Sequence, residues 1–346
     1  MQIPEPSDQI KFLTNLQRLF GEGLFTATYK YALLSALADL CVEHGNDSGE
    51  PWTLSLFDLS AKLVEYYWRH AMPYTAGGAS QILRQNTGKQ ARILSLVSDA
   101  RDRYGPSLAN LTRIESAWKR LVQSVIPTLR DQPLWRLQVV GNEKLDFLYS
   151  PAGDEHIELR PGVCFCFRQF FPLVQDLVRA AWLRDVRRLN GDLIGETTDL
   201  SDFLFGTERA ALTVARPVLM DLQQGKCFYC SASLQESSAE VDHFIPWSRY
   251  SADLAHNLVL ADRRCNSQKR DRIAHDNHLA RWAERNRQHG NDLADVLAGR
   301  IVCDLVSANS VAHWSYSQME ASNGLTWVSG NTMTSLSPGW RDCLSG

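Results

Sequence analysis

The sequence predicts a mainly helical α+β protein in two parts: an N-terminal helical region with a small antiparallel sheet, and a C-terminal domain of flanking helices around a cysteine knuckle. Three observations carry that prediction. The chain has 346 residues, more than twice the ~150 of an average domain. Its 44% hydrophobic and 22% charged content supplies a sizeable core and excludes wholesale disorder. Helical spacing dominates the first third and returns later, whereas alternation is confined to short runs.

Ile10, Leu13, Leu16 and Phe20 keep the one-face spacing of an amphipathic helix, as do Leu56, Leu59, Leu63, Tyr66 and His70. Between them, Leu24 to Val42 is apolar on nearly every side and reads as a buried central helix. Pro73 to Ser80 combines a helix stop with small residues and reads as a flexible break. Two helices are expected near Lys89–Tyr104 and Ser107–Val125. From Leu134 the runs LWRLQVV, KLDFLYS and HIELR, separated by Gly-Asn and Pro-Ala-Gly-Asp turns, predict an antiparallel meander. Cys164-Phe165-Cys166 reads as strand-like, with two small core residues rather than metal ligands, and helical periodicity resumes from Phe167 to Leu189. The resulting division is a helical domain with a small meander over residues 1–190, a linker over 191–206, a second domain over 207–320, and an irregular Ser/Gly-rich tail over 321–346. The first of these is assigned a targeting, partner or regulatory role.

The beginning of the chain has no basic region followed by an apolar stretch, so a cytoplasmic location and no membrane partner are expected. Eight cysteines are too sparse for a disulfide framework in so long a chain, which makes close pairs candidate metal ligands. With 36 basic and 39 acidic residues the net charge is -3. Bulk charge therefore does not point to a polyanion, but placement does: Arg263 to Arg287 holds eight Arg or Lys against three acids, a local balance of +5. A second basic group, Arg84, Lys89, Arg92, Arg101 and Arg103, lies near Gly77-Gly78 and reads as a solvated helix face, with a nucleic-acid or partner contact as the sharper reading.

The informative stretch runs from Lys226 to Arg272. Cys227 and Cys230 form a C-x2-C knuckle that places two thiolates on one tight turn, as tetrahedral zinc requires. Asp262 and Cys265 form a matching pair some thirty residues later and complete a predicted structural Zn²⁺ site. Asp262 is also a natural helix N-cap before Arg263, and His256 is the substitute ligand. Asp242-His243 closes a short apolar run, Asn257 opens the next, and Asn266 stands beside Cys265.

This order resembles the HNH, or ββα-metal, endonuclease superfamily, and the spacing of Asp242, Asn257 and Asn266 is similar to that of the HNH module of RNA-guided CRISPR nucleases. The resemblance is confined to about residues 225–272. It implies a ββα-metal nuclease domain with His243 as general base, Asp242 and Asn266 as oxygen ligands of a catalytic Mg²⁺ or Mn²⁺, and Asn257 holding the hairpin loop and the base. Arg263, Arg264, Lys269 and Arg270 would face phosphates. It implies phosphodiester hydrolysis, in DNA before RNA, leaving a 5′-phosphate and a 3′-hydroxyl. A double-strand cut would need a second active site, such as a homodimer supplies. Two other roles compete: a catalytically silent zinc-containing nucleic-acid-binding module, and a partner-regulated effector of an antiviral defence (phage-defence or restriction) system. Of the residues nearby, His275, His278 and His289 read as surface side chains, Trp282 as a core anchor, and Trp247 as a packing residue close enough to meet substrate.

Overall fold

The computed structural model describes residues 3–23, 26–76, 79–194, 200–206, 209–235 and 237–344. It is α+β and mainly helical, and it divides into two compact units, residues 1–206 and 207–346.

The first unit contains α1 (Pro6–Glu22), α2 (Tyr29–His44), β1 (Trp52–Ser55), α3 (Leu56–His70), β2 (Pro73–Ala76), β3 (Ala79–Ile82), α4 (Arg92–Tyr104), α5 (Leu108–Thr112) and α6 (Glu115–Leu129). A π-helical turn at Arg130–Leu134 leads to β4 (Val139–Val140), β5 (Glu143–Lys144), β6 (Tyr149–Pro151), β7 (His156–Leu159), α7 (Val163–Gln169), α8 (Phe171–Leu189) and α9 (Leu200–Phe205). α2 is the centre: from Tyr29 to Glu43 every residue but Asp39 is buried, against α3, α7 and α8. It begins at Tyr29 rather than Leu24, and residues 24–25 lie outside the described set. α3 starts where Ser55 accepts from the Asp58 amide at 3.0 Å and donates to its carboxylate at 2.6 Å, a reciprocal cap. Of its predicted stripe Leu56, Leu59, Leu63 and His70 are buried, while Tyr66 is half-buried and Tyr67 takes the core position beside it. On α1 the buried face is Phe12, Leu16 and Leu19, with Ile10 exposed, because tertiary packing selected the neighbouring stripe.

Several local expectations change. Pro73 to Ser80 is the β2–β3 hairpin, and its turn residues 77–78 are outside the described set. The meander becomes two pieces: a β4–β5 hairpin, and a sheet of order β1-β7-β6 in which β1 comes from a hundred residues earlier. Residues 134–136 continue a helical path instead of a strand. Cys164 and Cys166 are buried as expected, but on helix α7. The predicted linker over 191–206 includes α9, whose Leu200 and Leu204 are buried, so that part is core; 195–199 is not described. Of the basic group, Arg101 is structural: its guanidinium holds the carbonyls of Trp68 and Pro106, both at 2.9 Å, while Arg84, Lys89, Arg92 and Arg103 are exposed.

The second unit contains α10 (Arg209–Leu222), β8 (Ala239–His243), β9 (Leu258–Asp262), α11 (Arg263–Lys269), α12 (Asp276–Leu297), α13 (Leu305–Ala321), β10 (Thr326–Ser329) and β11 (Thr332–Thr334). β8 and β9 pair antiparallel, Ala239 opposite Asp262 and His243 opposite Leu258, and α11 follows directly to complete a ββα unit. Ala215 and Leu219 of α10, Leu258 and Leu260 of β9, and Leu293 and Leu297 of α12 form the core behind the hairpin. The tail is not irregular. Trp327 exchanges backbone bonds with Ile273 and His275 (2.8 and 2.7 Å), and Trp340 is fully buried, stacked on Tyr316. The small polar residues between these tryptophans disguised two anchors whose burial holds the segment. Among the described residues no helix is long and apolar enough to cross a membrane.

Candidate nuclease site and cysteine knuckle

β8 places Glu240 and Asp242 on one face by strand alternation, and α11 brings Arg263, Asn266 and Lys269 to the same side by its i, i+3 repeat. Asn266 donates its side-chain amide to Glu240 at 2.9 Å, and Arg263 donates to the other oxygen at 2.8 Å. Asp242 accepts from the Tyr229 hydroxyl at 2.6 Å and pairs with Lys269 at 3.0 Å. Lys269 is fully buried and also donates to the His243 carbonyl at 2.9 Å. It therefore cannot face a phosphate as the sequence suggested; a short helix turned inward gives its ammonium two buried acceptors instead of solvent. Burial, followed by the Asp242 charge, pushes the Tyr229 hydroxyl far above its ordinary pKa, so it stays a donor. The Tyr229 ring lies edge-on to Trp327 at 5.2 Å, which ties the tail to this carboxylate.

His243, next along β8, directs Nε2 to Asp253 at 2.8 Å. A carboxylate can only accept, so the neutral imidazole carries its proton on Nε2 and leaves Nδ1 as the basic nitrogen. Trp247 lies 5.3 Å from the imidazole between ring centres and is half-buried. Asn257 clamps the loop: its Oδ1 accepts from the Ile245 amide at 2.8 Å and its Nδ2 donates to the Ile245 carbonyl at 2.9 Å. Phe244 stacks on the buried Trp282 at 5.2 Å, which makes Trp282 the core anchor expected of it.

The thiols of Cys227, Cys230 and Cys265 lie within 4.8 Å of one another, a spacing that suits thiolates around one tetrahedral ion. Partial burial opposes ionisation of Cys230, but the Ala232 amide and the thiols of Cys227 and Cys265 outweigh it and lower its pKa; burial and the thiols of Cys227 and Cys230 raise that of Cys265. Asp262 is not a member. Its carboxylate accepts from the Arg264 amide at 2.8 Å as N-cap of α11, and its backbone N–H, not its side chain, turns to Cys227 Sγ at 3.2 Å. His256 is not a substitute, since it is buried with Nε2 on the Gly290 carbonyl at 3.1 Å. Three cysteines thus fit zinc, with no fourth side chain among the described residues.

Residues 227–275 match the family model of the HNH endonucleases. The matched segment takes in the HNH hairpin, α11 and all three cysteines. In the search of solved structures, the Type II-C Cas9 enzyme from Actinomyces naeslundii aligns at 14% identity over 82% of this chain and 38% of its own, with a TM-score of 0.22. The chain thus spans 38% of that protein's length. No curated protein matches.

The surface charge around the HNH segment is smaller than composition implied. Lys269 is buried, and Arg285 spends its guanidinium on the carbonyls of Leu258 and His256, both at 2.6 Å, in surroundings that lower its pKa to about 10. Arg263, Arg264 and Arg270 remain exposed. His278 is also a correction: it is buried, stacked on Trp327, bonded to the Val328 carbonyl at 2.7 Å, and lowered by burial to about 4. His275 caps α12 and pairs with Asp276, and His289 is on the surface beside Asp292. Sequence reading missed Asp253, Glu240 and Tyr229. The signal for Tyr229 was present, since it lies inside the knuckle; Asp253 and Glu240 look like ordinary surface acids until the hairpin closes.

Proposed function

We propose that the C-terminal unit is a divalent-metal-dependent endonuclease that hydrolyses phosphodiester bonds, in DNA before RNA. The His243–Asp253 pair carries this reading: a histidine with a fixed tautomer, on a hairpin clamped by Asn257, within the segment that matches the HNH endonucleases. His243 Nδ1 takes a proton from the attacking water, and Asp253 holds the ring and balances the charge it gains. Asn257 fixes the loop and does not touch substrate. Asp242 and Asn266 would supply hard oxygen ligands of the kind that Mg²⁺ or Mn²⁺ takes. The ion would stabilise charge on the phosphate and the leaving oxygen. Arg263, Arg264 and Arg270 would hold the backbone, and the three-cysteine knuckle would hold a structural zinc.

The tie of Asp242 to Lys269 and Tyr229 favours one second reading, a silent module that grips nucleic acid without cutting it. A supercoiled plasmid with Mg²⁺ decides between them. Nicking that disappears in His243→Ala supports the nuclease; DNA affinity with no metal-dependent nicking supports the silent module. The role of antiviral effector rests on resemblance and is tested by phage plating on cells carrying the active protein or His243→Ala.

A further inference from the structure

The N-terminal unit has a cleft of ≈ 210 Å³ between the start of α2 and the segment that joins the π-helical turn to β4. Lys30, nine-tenths buried, and Arg136 both line it, and no carboxylate is among its described lining residues. The two cations are close enough that Arg136, after burial itself, lowers Lys30 to about 8. The amino end of α2 also opens here, with no acid in its first turn and no side chain capping it; the hydroxyl of its N-cap residue, Thr28, is spent on Tyr67 at 2.6 Å. Two cations lining one cleft beside an uncapped helix start favour an anion, most of all a phosphate.

At the rim stands Trp135, 55% exposed, an unusual place for the largest apolar side chain. Its indole is held: Nε1 donates to the Asp131 carbonyl at 2.9 Å, and the Arg136 guanidinium lies 4.9 Å from the ring centre. A fixed, exposed indole beside a basic cleft is a stacking surface for a planar ring. Gln132, also in the lining, offers an amide to a base edge. The cleft is smaller than the ~300 Å³ at which drug-sized pockets begin, which suits a phosphate and sugar inside with the ring outside against Trp135.

We propose that this cleft binds a 5′-phosphorylated nucleoside, its phosphate on Lys30 and Arg136 and its base on Trp135. The same chemistry is presented by a free mononucleotide and by the 5′ end of a single strand.

Calorimetric titration of the full chain without divalent metal tests it, with 5′-AMP, adenosine, inorganic phosphate, and a short single strand with and without its 5′-phosphate. AMP binds, while adenosine and phosphate bind at least ~10-fold more weakly, because each lacks one half of the recognition. Arg136→Gln and Trp135→Ala, both exposed and so expected to melt as the parent does, each weaken AMP by ~10-fold or more. AMP binding tighter than the phosphorylated strand assigns the free nucleotide; the reverse order, with loss on removing the 5′-phosphate, assigns the strand end. The proposal is overturned if AMP shows no binding at millimolar concentration, if phosphate alone matches AMP, or if the two variants bind AMP like the parent.

Discussion

Asp39, in the N-terminal unit, gives one oxygen to the Tyr66 hydroxyl at 2.6 Å and the other to the Gln175 amide at 2.7 Å, both neutral donors. Asp242, in the C-terminal unit, also takes a tyrosine hydroxyl but adds the buried ammonium of Lys269 at 3.0 Å. Lys62 stands near Asp39 but spends its ammonium on Glu43 and Glu65, and burial raises the Asp39 pKa to about 7. The two carboxylates are held in different ways. Neutral donors let the buried Asp39 take up a proton and become part of a polar core, whereas Asp242 has a buried ammonium directly opposite it, next to His243.

The largest expected effect tests whether chemistry belongs to the Asp242 side alone. His243→Ala should lower plasmid nicking by ~10²–10⁴-fold with folding retained, since a general base is worth about that much; unchanged nicking would end the mechanism. Asp253→Asn should cost ~10–100-fold, because the amide can donate to Nε2 and reverse the tautomer, and the loss should appear in kcat more than in DNA affinity. An equal loss of affinity would make Asp253 a binding residue instead.

Breaking the ion pair comes next. Lys269→Met leaves Asp242 buried without its cation and should destabilise the C-terminal unit by ~3–5 kcal/mol in chemical unfolding; a change of ~0.5 kcal/mol or less, the ordinary range of a surface substitution, would refute the structural role. Zinc should be found at close to one equivalent per chain by elemental analysis, and Cys265→Ser should lose it and lower the melting temperature of the same unit. Metal-free protein with parental stability would remove the knuckle from the account.

The smallest effect concerns Asp39. Its pKa is raised in the folded state, so its contribution to stability is full below the ordinary value of 3.8 and is lost as the pH rises through about 7. Melting curves between those limits should show the N-terminal unit weakening with pH, and Asp39→Asn, which cannot ionise, should flatten that slope. A slope unchanged in the variant would assign the dependence to another group.

The candidate site was partly legible. The knuckle cysteines, Asp242-His243, Asn257 and Asn266 are spaced by the ββα unit itself, so a local pattern marks them, and the Asn257 side chain bonds both the amide and the carbonyl of Ile245. Lys269 and Asp262 misled because residue type suggests a solvated cation and a ligand, while their surroundings make one a buried counter-ion and the other a helix cap. The same reason explains β1, which pairs with β7 across a hundred residues, and the tail, whose two tryptophans are buried by segments far away in the chain.

The helical character, the central α2, the ββα order and the candidate site residues were legible in the sequence, because these depend on periodicity and on spacing along one short segment. Tertiary packing settles which stripe of α1 is buried, which acid bonds His243, which cations stay exposed, and that Trp135 and Lys30 line one cleft. Those outcomes depend on what each side chain meets from distant elements once water is excluded, and no local pattern carries that information.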